Sequence, residues 1–139
     1  MKILYQTSVT TTGGREGTAE SSDGRLSVKL SIPKELGGTG APGTTNPEQL
    51  FAAGYSACFE SALRHAARLK KIVVKEAHVT ATVALVPADG GAFALAVDLK
   101  ASLPGMEREQ AEMLVQDAHR VCPYSNATRG NIEVNLELA

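Results

Sequence analysis

Apolar and polar residues alternate along two stretches in the second half of this chain. Every second residue from Val79 to Leu85 is apolar, and the same holds from Phe93 to Leu103. An alternation with a period of two places the apolar side chains on one face of a half-buried β-strand. Residues 87–91 (Pro-Ala-Asp-Gly-Gly) separate the two stretches and have the composition of a turn. The pattern therefore predicts a β-hairpin.

Shorter strands are predicted near both ends of the chain. Residues 3–12 are rich in Thr, Val, Ile and Tyr, which favour strands, and two further short strands are expected over residues 17–22 and 26–32. Residues 13–17 (Gly-Gly-Arg-Glu-Gly) form a predicted turn, since glycine tolerates positive φ angles. Residues 132–138 carry apolar side chains at alternate positions and predict the last strand.

A periodicity of three to four residues predicts a long helix from Asn46 to about Lys70. Asn46 suits the N-cap, Pro47 the first helical position and Gln49 the position of the acidic or amide residue in a capping box. The predicted apolar face consists of Phe51, Tyr55, Cys58, Ala62, His65 and Leu69. Ala, Gly and Ser dominate the remaining surface, so neighbouring elements can approach closely. Residues 33–45, with four glycines and two prolines, are expected to form a structured loop before this helix.

A second helix is predicted from Met106 to Val121. Its apolar face would contain Met113, Leu114, Ala118 and Val121. Pro123 disfavours a helical conformation at Cys122, so the helix is expected to end there and a polar loop to follow over residues 124–131. The order of strands, helix, hairpin, helix and strand is typical of an α+β fold.

Composition and charge argue against several classes of protein. The formal net charge is −1, whereas nucleic-acid binding depends on clustered Lys and Arg. No apolar run approaches the ~20 residues that a membrane span requires. A single domain over residues 1–139 is long enough to bury a core without disulfides. The two cysteines are therefore expected to be free thiols in a reducing cytoplasm, where any disulfide has a catalytic or sensing role.

The cysteines are the first candidates for chemistry. Cys58 lies inside the first helix and Cys122 at the end of the second. For Cys58 alone, a core cysteine is the simpler interpretation, because free cysteines are among the most buried residues. A reactive thiol needs a cationic or hydrogen-bonding neighbour that stabilises the thiolate. Arg15, in the glycine-rich turn, is a candidate, although a solvated arginine is the simpler interpretation of that position.

Two other kinds of site, and a protein without catalysis, are compatible with the residues alone. His119 and Cys122 could share a helix face and bind a metal, but zinc sites require three or four ligands at recognisable spacings, so no metal is expected. Ser56 lies in Gly-Tyr-Ser-Ala, which lacks the second glycine of a serine nucleophile motif. Thirteen glycines and long loops would equally suit a non-catalytic binding module. Residue spacing alone therefore leaves the function open.

Three segments resemble those of a known family. Residues 46–59 (NPEQLFAAGYSACF) resemble the reactive-cysteine helix of the organic hydroperoxide resistance (Ohr) proteins, and residues 121–131 (VCPYSNATRGN) resemble their second-cysteine segment. Residues 13–17 match the arginine turn of the same family. The related OsmC branch shares the fold and both cysteines but usually lacks the continuation over residues 124–131. The Ohr branch is therefore favoured over an OsmC-branch peroxidase.

The resemblance implies an OsmC-like α+β fold, in which antiparallel sheets pack around a long central helix, and an intertwined homodimer. It also implies a peroxidase, in which Cys58 would attack the hydroperoxide and Cys122 would resolve the resulting sulfenic acid. Arg15 would stabilise the thiolate, and Glu48 would hold Arg15 in place. Alkyl, aryl and fatty-acid hydroperoxides are the implied substrates, and dihydrolipoyl groups on other proteins are the implied reductant. No cofactor is expected.

Two expectations concern the geometry of the implied site. Phe51, Tyr55 and Phe59 are apolar neighbours of Cys58 in sequence and suit a substrate with a hydrocarbon tail. Glu48 and Cys58 are ten residues apart, which corresponds to ~15 Å along a straight helix. Either the helix breaks near Gly54, or Glu48 reaches Cys58 from the partner subunit of the homodimer. A single glycine is only a weak helix breaker, so we expect the second arrangement. Arg15 is expected to follow Glu48, although its flexible turn leaves open which of the two chains it serves.

Overall fold

Six strands and three α-helices form this protein, and the computed structural model describes all 139 residues. The strands are β1 (Val9–Thr12), β2 (Thr18–Ser21), β3 (Ser27–Lys29), β4 (His78–Pro87), β5 (Phe93–Ser102) and β6 (Val134–Leu138). The helices are α1 (Pro47–Leu69), α2 (Arg108–Val121) and α3 (Pro123–Thr128). These elements confirm the α+β class. The chain divides into two units, residues 1–50 and residues 51–139, so a single domain over residues 1–139 stays a prediction.

The first unit contains a three-stranded antiparallel sheet in the order β1-β2-β3. The predicted turn between β1 and β2 is confirmed: Gly13 and Gly14 have φ angles of 83° and 57°, and Gly14–Glu16 forms one turn of 3-10 helix. The predicted first strand begins only at Val9. Val9 pairs with Ser21, where β2 ends, and one more backbone hydrogen bond follows, from the N–H of Ser22 to the carbonyl of Ser8 (3.0 Å).

The loop over residues 33–45 is confirmed, and it includes one turn of 3-10 helix at Lys34–Leu36. Two backbone hydrogen bonds join the segment before this loop to the last residue of the loop. The N–H of Ser31 donates to the carbonyl of Thr45 (3.1 Å), and the N–H of Thr45 donates to the carbonyl of Lys29 (2.9 Å). These two bonds fix the position from which the chain enters α1.

Helix α1 begins as predicted. The backbone N–H of Gln49 donates to Oδ1 of Asn46 (2.9 Å), so Asn46 is the N-cap and Pro47 occupies the first helical position. The Gln49 side chain does not complete a capping box, because its Oε1 accepts a hydrogen bond from Oγ1 of Thr45 (2.7 Å). The helix ends at Leu69, one residue before the predicted end.

The buried face of α1 differs from the predicted one. It contains Tyr55, Phe59, Ala62, Leu63, Ala66 and Ala67. His65 and Leu69, which the prediction placed on this face, are exposed, with 72% of Leu69 accessible. The large side chains of Phe59 and Leu63 fill the core. The buried face is therefore rotated about the helix axis by about one residue position relative to the predicted apolar face.

The second unit contains a three-stranded sheet in the order β4-β5-β6. The hairpin is confirmed: β4 and β5 pair antiparallel along all ten residues, from His78 opposite Ser102 to Pro87 opposite Phe93. The prediction of antiparallel sheets is wrong for the third strand, because β6 pairs parallel to β5. α2 and α3 lie between these strands in sequence and form the crossover that a parallel pair requires.

Helix α2 buries Ala111, Leu114, Val115 and Ala118. Met113, predicted on this face, is 42% exposed, and Val115 lies in the core in its place. As predicted, α2 ends before Pro123, and Cys122 has an extended backbone with ψ of 123°. The predicted polar loop is wrong for residues 124–128, which belong to α3. Pro123 occupies the first helical position of α3, where its missing N–H carries no cost.

The core of the second unit consists of apolar side chains from α1, β5 and α2, among them the fully buried Leu63, Leu99 and Leu114. The central position of α1 between sheets stays a prediction. None of the helices combines the length and the hydropathy that would let it cross a membrane.

Candidate functional site

The second unit brings its two cysteines together. Cys58 lies in the middle of α1 and is half-buried, whereas Cys122 lies between α2 and α3 and is fully buried. Both thiols are free. They are close enough for the Cys122 thiol to act on the ionisation of Cys58. Two residues that are 64 positions apart in sequence therefore form one dithiol site.

The surroundings of Cys58 favour the protonated thiol. Burial raises the pKa of Cys58, and the neighbouring Cys122 thiol raises it further. The backbone N–H of Tyr124 opposes both effects and lowers the pKa of Cys58. No cation is among the groups that shift the pKa of this thiol. Among the groups that shift this pKa, only the Tyr124 N–H favours the thiolate.

An apolar cavity of about 430 Å³ opens beside this site. Its wall includes Phe51 at the start of the unit and Tyr124, whose backbone N–H lowers the pKa of Cys58. The other lining residues are Leu95, Pro123, Ala127, Thr128, Asn131 and Ile132. The rings of Phe51 and Tyr124 meet edge to face, with centroids 6.0 Å apart.

Gly54 lets Tyr124 lie directly against α1. A Cβ at Gly54 would be 2.9 Å from Cζ of the Tyr124 ring and still closer to its hydroxyl. The prediction that small residues on α1 allow close approach is confirmed at this position. Because the same ring lines the cavity, Gly54 influences the shape of the cavity wall.

The three residues predicted to contact substrate lie in different environments. Phe51 is half-buried and lines the cavity. Tyr55 and Phe59 are fully buried in the core, and the Tyr55 hydroxyl bonds Ser125 (2.8 Å) and Thr128 (3.2 Å). A substrate-binding role for all three stays a prediction, and only Phe51 presents its side chain to the cavity.

Arg15 and Glu48 form an ion pair in the first unit. Nη1 and Nη2 of Arg15 donate to Oε1 and Oε2 of Glu48 at 2.8 and 2.9 Å, the two-bond geometry that fixes a guanidinium in one plane. The turn at Gly14–Glu16 presents the arginine, and α1 carries the glutamate at its second position. The hydrogen bonds to Glu48 raise the pKa of Arg15. About a third of the Arg15 side chain, 35%, is still accessible.

Sequence reasoning missed the backbone donor at Tyr124 and the hydrogen bonds around Ser125. Pro123 was a signal that could have predicted helix α3, since proline is common at the first position of a helix. The metal alternative gains no ligand set: no group of three or more His, Cys, Asp or Glu side chains is arranged to hold an ion. Nδ1 of His119 instead bonds Oγ of Ser125 at 2.8 Å.

Comparisons with known proteins agree with this architecture. A model of the OsmC family, described as OsmC-like protein, matches residues 38–137, which defines the class as OsmC-like. An organic hydroperoxide resistance protein from Xanthomonas axonopodis pv. citri is 52% identical over 139 residues, covering 99% of this chain and 96% of that protein.

Solved structures match over the whole fold. The crystal structure of an organic hydroperoxide resistance protein OsmC from Legionella pneumophila has a TM-score of 0.94 and 50% identity and covers 99% of both chains. That of an organic hydroperoxide resistance protein from Vibrio cholerae, with captopril bound in one of its active sites, has a TM-score of 0.94 and 53% identity, covering 99% of this chain and 94% of that one. The chain belongs to the organic hydroperoxide resistance proteins of the OsmC family.

Proposed function

We propose that this protein is a cysteine-based peroxidase that reduces organic hydroperoxides to alcohols. The observation that carries the proposal is the dithiol site: the half-buried Cys58 with the buried Cys122 next to it. Pro123 and Tyr124, which directly follow Cys122, line an apolar cavity. The names of the relatives support the same reaction class.

The chemistry requires only the two thiols and an external reductant. The Cys58 thiolate attacks one peroxide oxygen, the O–O bond breaks, and the departing alkoxide takes a proton and leaves as the alcohol. Cys58 is then a sulfenic acid. The Cys122 sulfur displaces its hydroxyl group, which leaves with the Cys122 proton as water, and a disulfide forms. A dithiol, for which a dihydrolipoyl group on a partner protein is the proposed source, reduces the disulfide.

The order of attack follows from exposure. A hydroperoxide can reach the half-buried Cys58, whereas the Cys122 thiol is fully enclosed in the core. Cys122 therefore fits the resolving role, in which it meets only the sulfur next to it. Free thiols that cycle through a disulfide suit a reducing cytoplasm, the proposed location.

The Arg15–Glu48 pair supports a site shared between two copies of the chain. Thiolate chemistry needs a cation near Cys58, and the Arg15–Glu48 pair is prepared to supply one. Helix α1 is continuous from Pro47 to Leu69, so the ten residues between Glu48 and Cys58 correspond to ~15 Å along its axis. We infer a homodimer in which the Arg15–Glu48 pair of one copy serves Cys58 of the other.

Substrate choice follows from the cavity. A hydrocarbon tail that leaves water for this apolar cavity gains ~25 cal/mol per Å² of buried surface, and hydrogen peroxide has no tail to bury. Alkyl, aryl or fatty-acid hydroperoxides should therefore react with higher catalytic efficiency than hydrogen peroxide.

Thiol counting under anaerobic conditions tests the proposal. The reduced protein is mixed with an equivalent of cumene hydroperoxide per chain, and thiols and cumyl alcohol are measured. Both thiols of each chain should disappear as one equivalent of alcohol appears, and added dihydrolipoamide should restore both thiols. Unchanged thiols in the presence of excess hydroperoxide would contradict the proposal.

A further inference from the structure

The start of helix α3 contributes to the dithiol site and to the cavity. Cys122 directly precedes its first residue, the backbone N–H of Tyr124 lowers the pKa of Cys58, and Tyr124 lines the cavity. A helix of six residues is too short to be stable by itself. Its position relative to Cys58 must therefore depend on contacts with the rest of the second unit.

A buried hydrogen-bonded cluster provides these contacts. We name it the hydroxyl cluster, and it consists of Tyr55, His119, Ser125 and Thr128. Oγ of Ser125 bonds the Tyr55 hydroxyl and Nδ1 of His119, each at 2.8 Å. The Tyr55 hydroxyl also lies 3.2 Å from Oγ1 of Thr128. Tyr55 and Ser125 are fully buried and Thr128 is 5% exposed, so water cannot replace a lost partner without rearrangement.

The cluster is arranged around the two cysteines. Tyr55 lies three residues before Cys58 on α1, so the two side chains are neighbours on one face of that helix. Cys122 lies between α2 and α3, three residues after His119 and three residues before Ser125. The Ser125 hydroxyl thus joins, at one atom, the three helices that hold the dithiol site.

We propose that Tyr55, His119 and Ser125 are positioning residues for disulfide formation, and that they hold Cys122 against Cys58 once Cys58 has become a sulfenic acid. This inference rests on the proposed peroxidase function. None of the three residues needs to touch the hydroperoxide. Their role is confined to the second step, in which the S–S bond forms, the S–O bond breaks and water leaves.

The cluster matters because the sulfenic acid has two competing fates. Cys122 can condense with it, or a second hydroperoxide can oxidise it to the sulfinic acid, which dithiols do not reduce. If Cys122 lies slightly farther from Cys58, the condensation is slower. The sulfenic acid then has more time to react with a second hydroperoxide. Loss of the cluster should therefore change the ratio of disulfide to sulfinic acid without changing the rate of the first attack.

Tyr55→Phe tests the proposal, because it removes the hydroxyl and keeps the ring in the core. Tyr5→Phe is the matched control, since it removes the hydroxyl of a tyrosine that is 78% exposed. For each protein, cumene hydroperoxide consumption in the first turnover and the fraction of sulfinic acid at Cys58 are measured over a series of hydroperoxide concentrations. Ser125→Ala and His119→Asn are measured alongside, and the amide of the asparagine offers a partial replacement for Nδ1.

In Tyr55→Phe, the hydroperoxide concentration that gives half sulfinic acid should fall about five- to ten-fold, the effect expected of one lost buried hydrogen bond, while the first attack stays within about two-fold. In Ser125→Ala, this concentration should fall by a similar factor. In His119→Asn, it should lie between the values of Ser125→Ala and the wild type. An unchanged ratio in both Tyr55→Phe and Ser125→Ala, or equal slowing of both steps, would overturn the proposal. If Tyr55→Phe does not fold, His119→Asn carries the test. A wild-type protein that consumes no hydroperoxide would instead refute the underlying peroxidase function.

Discussion

At Gly54 there is no room for a side chain between the backbone of α1 and the ring of Tyr124. An added methyl group would gain about 1 kcal/mol of helix propensity, but it would also force the ring aside. The ring is the end of a side chain that is 37% exposed, so it can swing outward at little cost. The consequence should appear in the cavity beside Cys58 more than in the stability of the fold.

We predict that Gly54→Ala changes the free energy of unfolding by no more than about 1 kcal/mol and reduces the preference for cumene hydroperoxide over hydrogen peroxide. The measurement is the ratio of kcat/KM for the two substrates. The double variant Gly54→Ala, Tyr124→Phe removes the hydroxyl that meets the new methyl group and should recover part of the preference. A preference equal to that of the wild type would show that the ring does not shape the substrate site.

At this scale, sequence reasoning found the individual groups but not their surroundings. Cys58, Cys122, Arg15 and Glu48 stand in segments that resemble a known family, and the structure pairs the two charged residues by two hydrogen bonds. The donor at Tyr124 could not be predicted, because a backbone N–H carries no residue-type signal. The hydrogen bonds of Ser125 likewise depend on three helices meeting, which spacing along one chain does not indicate.

The periodicity of the sequence predicted most helices and strands correctly. It was insufficient where tertiary packing determines how an element is placed. The start of α1 at Asn46 and the β4–β5 hairpin were predicted to within a residue or two. The parallel pairing of β6 was not, because alternation specifies the face of a strand but not its direction. Helix α3 was missed, since its six residues are too few to show a periodicity.

The start of α1 offers a test at the scale of one element. We predict that Asn46→Ala lowers the free energy of unfolding by about 1 kcal/mol, because the N–H of Gln49 loses its side-chain acceptor. Asn46→Ser keeps a capping oxygen and should lose no more than a few tenths of a kcal/mol. Urea unfolding of the three proteins at one fixed protein concentration gives the comparison. Equal losses in the alanine and serine variants would show that the cap does not stabilise the helix.

For the whole molecule, the proposed homodimer raises the question of which copy of the chain would supply a cation to Cys58. Cys58 has no cation among the groups that shift its pKa, whereas Arg15 is held in place by Glu48. In a symmetric dimer each contact between the copies occurs twice. Arg15 of each copy would therefore complete the Cys58 site of the other copy. The proposal therefore makes a specific statement about mixtures of variants.

We predict that Cys58→Ser and Arg15→Ala, each nearly inactive alone, regain activity when their chains are mixed by unfolding and refolding together. Random pairing makes half of the dimers mixed, and each mixed dimer holds one complete site, so about a quarter of wild-type turnover should return. A mixture of Cys58→Ser with Cys122→Ser is the control. It should regain nothing, because both cysteines of a site belong to one chain. No gain in the first mixture would place Arg15 in the same chain as the thiol that it serves.

The most direct test of the peroxidase mechanism is the first turnover of the two cysteine variants, followed by trapping with dimedone, which labels sulfenic acids. Cys58→Ser should consume no cumene hydroperoxide and take up no label. Cys122→Ser should consume one equivalent at nearly the wild-type rate and take up the label at Cys58, because attack does not require the resolving thiol. The opposite pattern, with hydroperoxide consumed by Cys58→Ser and no reaction in Cys122→Ser, would contradict the assignment of Cys58 as the attacking thiol.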